Sequence, residues 1–261
     1  MTKYLSALAV FALCVSPAFG SVQINFSDDD ISLDPGFRIT NVDGIGISEK
    51  LELGSDFGLN AADGLDYMRI SGATSSDSGF TVANFIVVIP ELRIVSQIGP
   101  PVGGITLYNL EIYTGGFSSI ATFGNTAGFR VYASVADVFA NSPLMIADVN
   151  LLDPFLVVGS AGVVEASVSF VNLTNVRLSA AGTLHPTLVE FSAAANVGGG
   201  ADMNVNVSAA GQNIANRINA GQTVAGSSSG SVLAVPEPGT LMLLAAGAML
   251  TLRRRKGRHA A

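Results

Sequence analysis

Apolar and polar residues alternate along much of the middle of the chain. Val22, Ile24 and Phe26 are separated by Gln23 and Asn25, and the same period of two runs through 67–70, 106–113, 129–135 and 164–178. Successive side chains of an extended chain point to opposite faces, so this period predicts half-buried strands. Residues 85–98 are apolar almost throughout, as expected of a strand buried on both faces. Pro90 must interrupt or bulge that strand, because it has no N–H to donate. Glycines, Asn141-Ser142-Pro143 and Asp153-Pro154 punctuate the apolar runs and read as turns. Only 211–220 and 135–140 carry a helical pattern. The expectation is an all-β fold, with antiparallel strands in a sandwich or a rolled sheet. An apolar, any, Asn, apolar pattern around Asn41, Asn109 and Asn175 recurs at a spacing of about 66 residues, which adds repeated hairpins as a variant of that fold.

The two ends follow other rules. Residues 1–20 place Lys3 before an apolar run over 4–15, then Pro17 and the small residues Ala18 and Gly20. That order describes a secretory signal peptide cut between Gly20 and Ser21. Cys14 would leave with it, so no disulfide would support the exported domain, whose stability must come from apolar burial and sheet hydrogen bonds.

At the other end Pro236, Glu237 and Pro238 precede Gly239-Thr240, an apolar run over 241–252, and the basic cluster Arg253, Arg254, Arg255 and Lys256. As a helix of about 14 residues the apolar stretch rises about 21 Å, short of the roughly 30 Å hydrocarbon core unless the bilayer thins or Arg253 snorkels. The basic cluster would be held on the cytoplasmic side as a stop-transfer signal, leaving the acidic domain outside. This three-part tail resembles the PEP-CTERM sorting signal of Gram-negative bacteria. The resemblance implies that exosortase, a membrane cysteine protease, reads Pro236, Glu237 and Pro238. It also implies a protein anchored transiently in the membrane and then released to the cell surface or the extracellular matrix, in bacteria that make exopolysaccharide and biofilm. It implies nothing about residues 21–230.

Charge and composition add to this picture. Between Ser21 and Val235 there are 19 acidic residues against seven basic ones, which argues against nucleic acid and anionic lipid as partners. From 196 the composition turns to Gly, Asn, Ser and Ala, and 221–230 reads as a flexible linker. The expected organisation is a signal peptide (1–20), an exported β domain (21–195), a linker segment (196–234) and the sorting signal with a C-terminal hydrophobic helix (235–261).

Chemistry is thinly signalled. His185 is the single histidine of the exported segment and precedes Pro186 in a turn-like stretch. Gly226-Ser227-Ser228-Ser229-Gly230 matches G-x-S-x-G in letters, without the strand and helix that a nucleophile elbow needs. Asp28, Asp29, Asp30 and Asp34, and separately Asp56, Asp63 and Asp66, offer oxygen ligands for calcium but not at EF-hand spacing. Trp is absent, which weakens a case for sugar-stacking platforms. The leading expectation is a non-enzymatic surface or matrix protein without a cofactor. A surface carbohydrate- or calcium-binding module and an exported hydrolase with two facing carboxylates remain as alternatives.

Overall fold

The computed structural model describes residues 21–28, 36–41, 49–53, 67–75, 81–90, 92–112, 128–159, 165–209 and 213–235. In chain order the strands are β1 (Val22–Ser27), β2 (Phe37–Asn41), β3 (Glu49–Leu53), β4 (Met68–Thr74), β5 (Ile86–Val88) and β6 (Leu92–Gln97). They continue as β7 (Ile105–Ile112), β8 (Gly128–Tyr132), β9 (Met145–Gly159), β10 (Glu165–Leu178), β11 (Ala201–Ser208) and β12 (Val224–Ala234). Among the described residues three α-helices join them, α1 (Val135–Phe139), α2 (Pro186–Val197) and α3 (Ile214–Asn219), with a 3-10 turn over Gly182–Leu184.

All described pairings are antiparallel, and the sheet closes on itself twice. Strands β9, β10, β11 and β12 form a continuous wall. The outer edge of β9 takes β8 along 145–148 and β7 along 155–159. The outer edge of β12 divides in the same way, taking β1 along 229–234 and β2 along 224–226. One ring therefore runs from the wall through β1, β4, β5 and β8, the other through β2, β3, β6 and β7. Among the described residues each ring has eight strands, four of them shared. The two rings stack along the wall, and closure leaves the wall without an open edge for another chain to pair with.

Alternation explains the filling. Ala201, Met203, Val205 and Val207 of β11 are buried while Asp202, Asn204, Asn206 and Ser208 between them are exposed. Val22, Ile24 and Phe26 of β1 point the same way, inward. These residues share one core with Leu188, Phe191, Ala194 and Ala195 of α2 and with Ile214, Ala215 and Ile218 of α3. Each helix fills one ring: α2 packs on β10, β1 and β12, and α3 on β12 and β9. The Tyr108 hydroxyl on β7 donates to the α3 carbonyl of Ala215 (3.2 Å), fixing the second helix in place. A smaller core of Tyr67, Ile86, Val88, Tyr132 and Val138 lies where α1 covers the outside of the first ring.

The expected antiparallel all-β architecture is present, and the structure corrects two details of it. The sandwich is replaced by a closed barrel, because β9 and β12 are long enough for each to serve two neighbours along one edge. As expected, Pro90 interrupts the 85–98 run, which splits into β5 and β6, and the break carries the chain from the first ring to the second. Asp153-Pro154 is no turn; it sits inside β9, where the register against β10 shifts and the outer edge changes partner from β8 to β7.

The linker over 196–234 is the largest correction. It contains β11, α3 and β12, the last paired on both edges. Its small residues serve close packing rather than freedom. A Cβ on Gly230 would run into the Phe26 ring and lie 2.6 Å from the Asn204 carbonyl oxygen. The bulky inward residues of β1 thus require glycine in β12. The three Asn-centred segments fall on β2, β7 and β10, which have different neighbours in the rings. The C-terminal hydrophobic helix lies outside the described residues, and among those residues no helix is long and apolar enough to cross a membrane.

Candidate functional site

The register brings several strand ends to one pole of the barrel. Val22 at the start of β1 pairs with Ala234 at the end of β12, and Ala234 pairs with Ala201 at the start of β11. Leu178, which ends β10, pairs with Met145, which starts β9, at that same pole. The two described ends, Ser21 and Val235, therefore lie next to each other at this pole. Ser21 is exposed there.

Helix α2 closes this pole. Pro186 at its first turn needs no N–H partner, and Leu188, Phe191, Ala194 and Ala195 recur at helical spacing toward the core. His185 occupies the N-cap position, and its ring meets Phe85 edge-on with centroids 4.9 Å apart. It is a half-buried packing group rather than the solvated turn residue that the sequence suggests. Asn196 ties down the far end of the helix. Its Oδ1 accepts from the Val176 N–H (3.1 Å) and its Nδ2 donates to the Val176 carbonyl (2.8 Å). Val176 lies in the β10 register shift between Thr174 and Arg177, where the ladder leaves its backbone groups unpaired; the amide side chain reaches both, and the Ser192 hydroxyl also donates to the carbonyl (3.2 Å). Composition alone places Asn196 in the linker; the Leu188, Phe191, Ala194, Ala195 spacing was the available signal for a helix here.

Of the four aspartates considered for calcium, Asp28 is described and Asp29, Asp30 and Asp34 lie outside the described residues. The Asp28 N–H donates to the Ser228 carbonyl (3.0 Å), and its Oδ2 accepts from the Ser228 N–H (3.1 Å). Ser228 is buried and its hydroxyl donates to the Gly36 carbonyl. Together they hold the point where the edge of β12 passes from β1 to β2. The G-x-S-x-G letters are thus the middle of a strand, with the central serine engaged in its junction. A groove of about 430 Å³ opens here, lined by Asp28 and Ser228 themselves together with Ser27, Asn206, Val207, Ser208, Ser227 and Ser229. Among the described residues no group of three His, Cys, Asp or Glu side chains is placed to hold a metal. Asp56, Asp63 and Asp66 lie outside them.

A second groove, of about 710 Å³, runs across β8, β9 and β10. Arg130 and Arg177 flank Ile146 in register along its floor. Burial lowers the Arg130 guanidinium from its ordinary value and raises the phenol of Tyr132 beside it. Arg177 donates to Asp148 Oδ1 at 2.9 Å, and Asn175 Nδ2 donates to the other carboxylate oxygen at 2.9 Å.

A closed antiparallel barrel whose two ends emerge together defines a β domain that carries its extensions on one pole. What those extensions are is given by the tail: residues 234–256 match the PEP-CTERM protein-sorting motif. The match begins on Ala234, the last residue of β12, so motif and barrel abut with no spacer between them. The tail is thereby a sorting signal, processing by exosortase follows from it, and the chain is an exported protein with a cell-surface or extracellular fate. Pro236, Glu237, Pro238 and the stop-transfer residues Arg253, Arg254, Arg255 and Lys256 lie outside the described residues, as does Gly20. No curated protein and no solved structure matches the chain.

Proposed function

We propose that this protein is a non-catalytic β barrel delivered to the cell surface or the extracellular matrix, held transiently in the membrane by its tail and then released by exosortase. The observation that carries the reading is the sorting motif set directly on the last strand of a closed barrel. A structural role for the barrel is supported by what the reactive-looking groups do. His185 packs on Phe85, Asp28 accepts from the Ser228 backbone, and Ser228 donates to Gly36. Each is occupied in holding the fold together.

Exopolysaccharide is the proposed partner outside the cell. Its support is the groove at Asp28, whose lining is mostly hydroxyl and amide side chains with one carboxylate among them, groups that exchange hydrogen bonds with neutral sugars. The test of the main reading is mass spectrometry of the protein from its native host, with and without Glu237→Ala. A chain starting near Ser21 and ending near 236–238, with the tail retained in the variant, is the expected result. An unprocessed carboxyl terminus in the unmodified protein would reduce the tail to a membrane anchor.

A further inference from the structure

We infer that the α2 pole of the barrel is a membrane-contact surface, which rests on the lipid interface while the tail is still in the bilayer. The inference rests on the transient anchoring proposed above and adds to it which face of the barrel meets the membrane. Three observations converge on it.

First, α2 is apolar on two sides. Leu188, Phe191, Ala194 and Ala195 face the core, yet Val189, Ala193 and Val197 recur at every fourth residue on another side. Val189 is 40% and Val197 63% exposed, and Leu184 just before the helix is 78% exposed. A helix that merely closes a barrel is expected to turn charged and polar residues outward. Here Glu190 is the one charged residue in the helix.

Second, the chain leaves for the membrane from that apolar side. Val235 is itself 47% exposed, and its carbonyl lies so close to Gly198 that a Cβ there would collide with it. Val197 and the departing tail are therefore neighbours, and the segment before Ser21 departs from the same pole.

Third, the tether is short. Five residues, 236–240, separate Val235 from the apolar run at 241. Fully extended, a chain segment of that size spans about 20 Å. The interface between hydrocarbon and water occupies about 6 Å of that on each side of the bilayer. Aliphatic side chains at this distance gain by entering the interface, at about 25 cal/mol for each Å² removed from water. The partner is thus a lipid surface recognised through apolar contact, which agrees with the acidic balance of the domain.

The barrel supplies its own control. The β6–β7 hairpin carries Val102, 74% exposed, beside Ile98 and Ile105. Ile105 pairs with Gly159, at the opposite end of the 15-residue β9 from Met145. At about 3.3 Å per residue that is about 45 Å from the α2 pole, beyond the reach of the tether.

The absence of Trp lets single-Trp variants report each pole. The full chain with its tail is reconstituted into phosphatidylcholine vesicles, with or without doxyl-labelled lipid, as Leu184→Trp, Val197→Trp or Val102→Trp. Flotation with the vesicles is read first. Expected are a blue-shifted emission for Leu184→Trp and Val197→Trp that doxyl lipid largely abolishes, and an unshifted, unquenched emission for Val102→Trp. A chain that does not float overturns the anchoring and this inference with it. A chain that floats while Leu184→Trp and Val197→Trp are no more quenched than Val102→Trp leaves the anchoring intact and overturns the membrane-contact surface. A blue shift without doxyl quenching assigns the pole to contact between copies of the chain and also overturns it.

Discussion

Asn196 and Gly230 show how much single residues decide in this barrel. The Asn196 side chain pairs with both backbone groups of Val176 at a bulge, so Asn196→Leu leaves the buried Val176 N–H without its acceptor, while the carbonyl keeps the Ser192 hydroxyl. A cost of about 1–3 kcal/mol is expected, read as a lower urea midpoint with an unchanged slope. Gly230→Ala forces a methyl group against the Phe26 ring and the Asn204 carbonyl. A loss of about 1–3 kcal/mol is expected, and Phe26→Leu in the same chain should recover part of it, because the two residues share one space. Tyr132 sets a pH limit. Burial holds its phenol neutral and raises its pKa, whereas the unfolded chain ionises near the ordinary value of about 10. Its contribution is complete below that value and is lost as the pH climbs through the raised folded one. Thermal unfolding of Tyr132→Phe should therefore fall off less steeply above about pH 10 than that of the unmodified protein.

At the scale of elements, the strands with a clean period of two were legible in the sequence. Residues 22–26, 67–70, 106–113 and 164–178 fall on β1, β4, β7 and β10, and the helical pattern at 135–140 falls on α1. What misled was composition. Residues 221–230 contain the letters of a flexible linker, yet Gly226 and Gly230 sit where strands approach so closely that a Cβ would collide, and only the partner chain segments reveal that need. The same holds for Asp153-Pro154, whose missing N–H is harmless where β9 changes neighbours. Pairing partners far apart in sequence are not written in any local window, so closure into a barrel was out of reach while the antiparallel β class was not. The correction is directly testable by truncation. A chain of 21–235 should fold and unfold cooperatively with the same midpoint as a chain with the tail. A chain of 21–223, which lacks β12, should give no cooperative transition, because β1, β2 and β11 all lose the strand they pair with. Equal midpoints for the two truncations would restore the linker reading.

For the whole molecule, the arrangement ties export, folding and processing together. Strand β12 is the last part of the barrel to be delivered and is paired on both edges, so the fold cannot close until the chain has crossed the membrane as far as Ala234. The sorting motif starts at that residue, so the substrate that a membrane protease meets is a motif that follows a finished barrel directly in sequence. Distance from the barrel then becomes a variable of the processing reaction. Lengthening the junction by a ten-residue Gly-Ser insert between Val235 and Pro236 leaves the pairing of β12 and everything from Pro236-Glu237-Pro238 onward unchanged, but adds about 17 Å of mean reach to the tether. Wherever the closeness of the barrel limits access to the motif, the insert should speed the conversion of precursor to mature form in pulse-chase labelling in the host. The Glu237→Ala variant should remain unprocessed with or without the insert. A slower conversion on lengthening would instead mean that the barrel pole helps to present the motif, making α2 part of what the protease recognises. Surface substitutions at Val189 and Val197 would then change the processing rate, with little effect on the unfolding midpoint of the barrel.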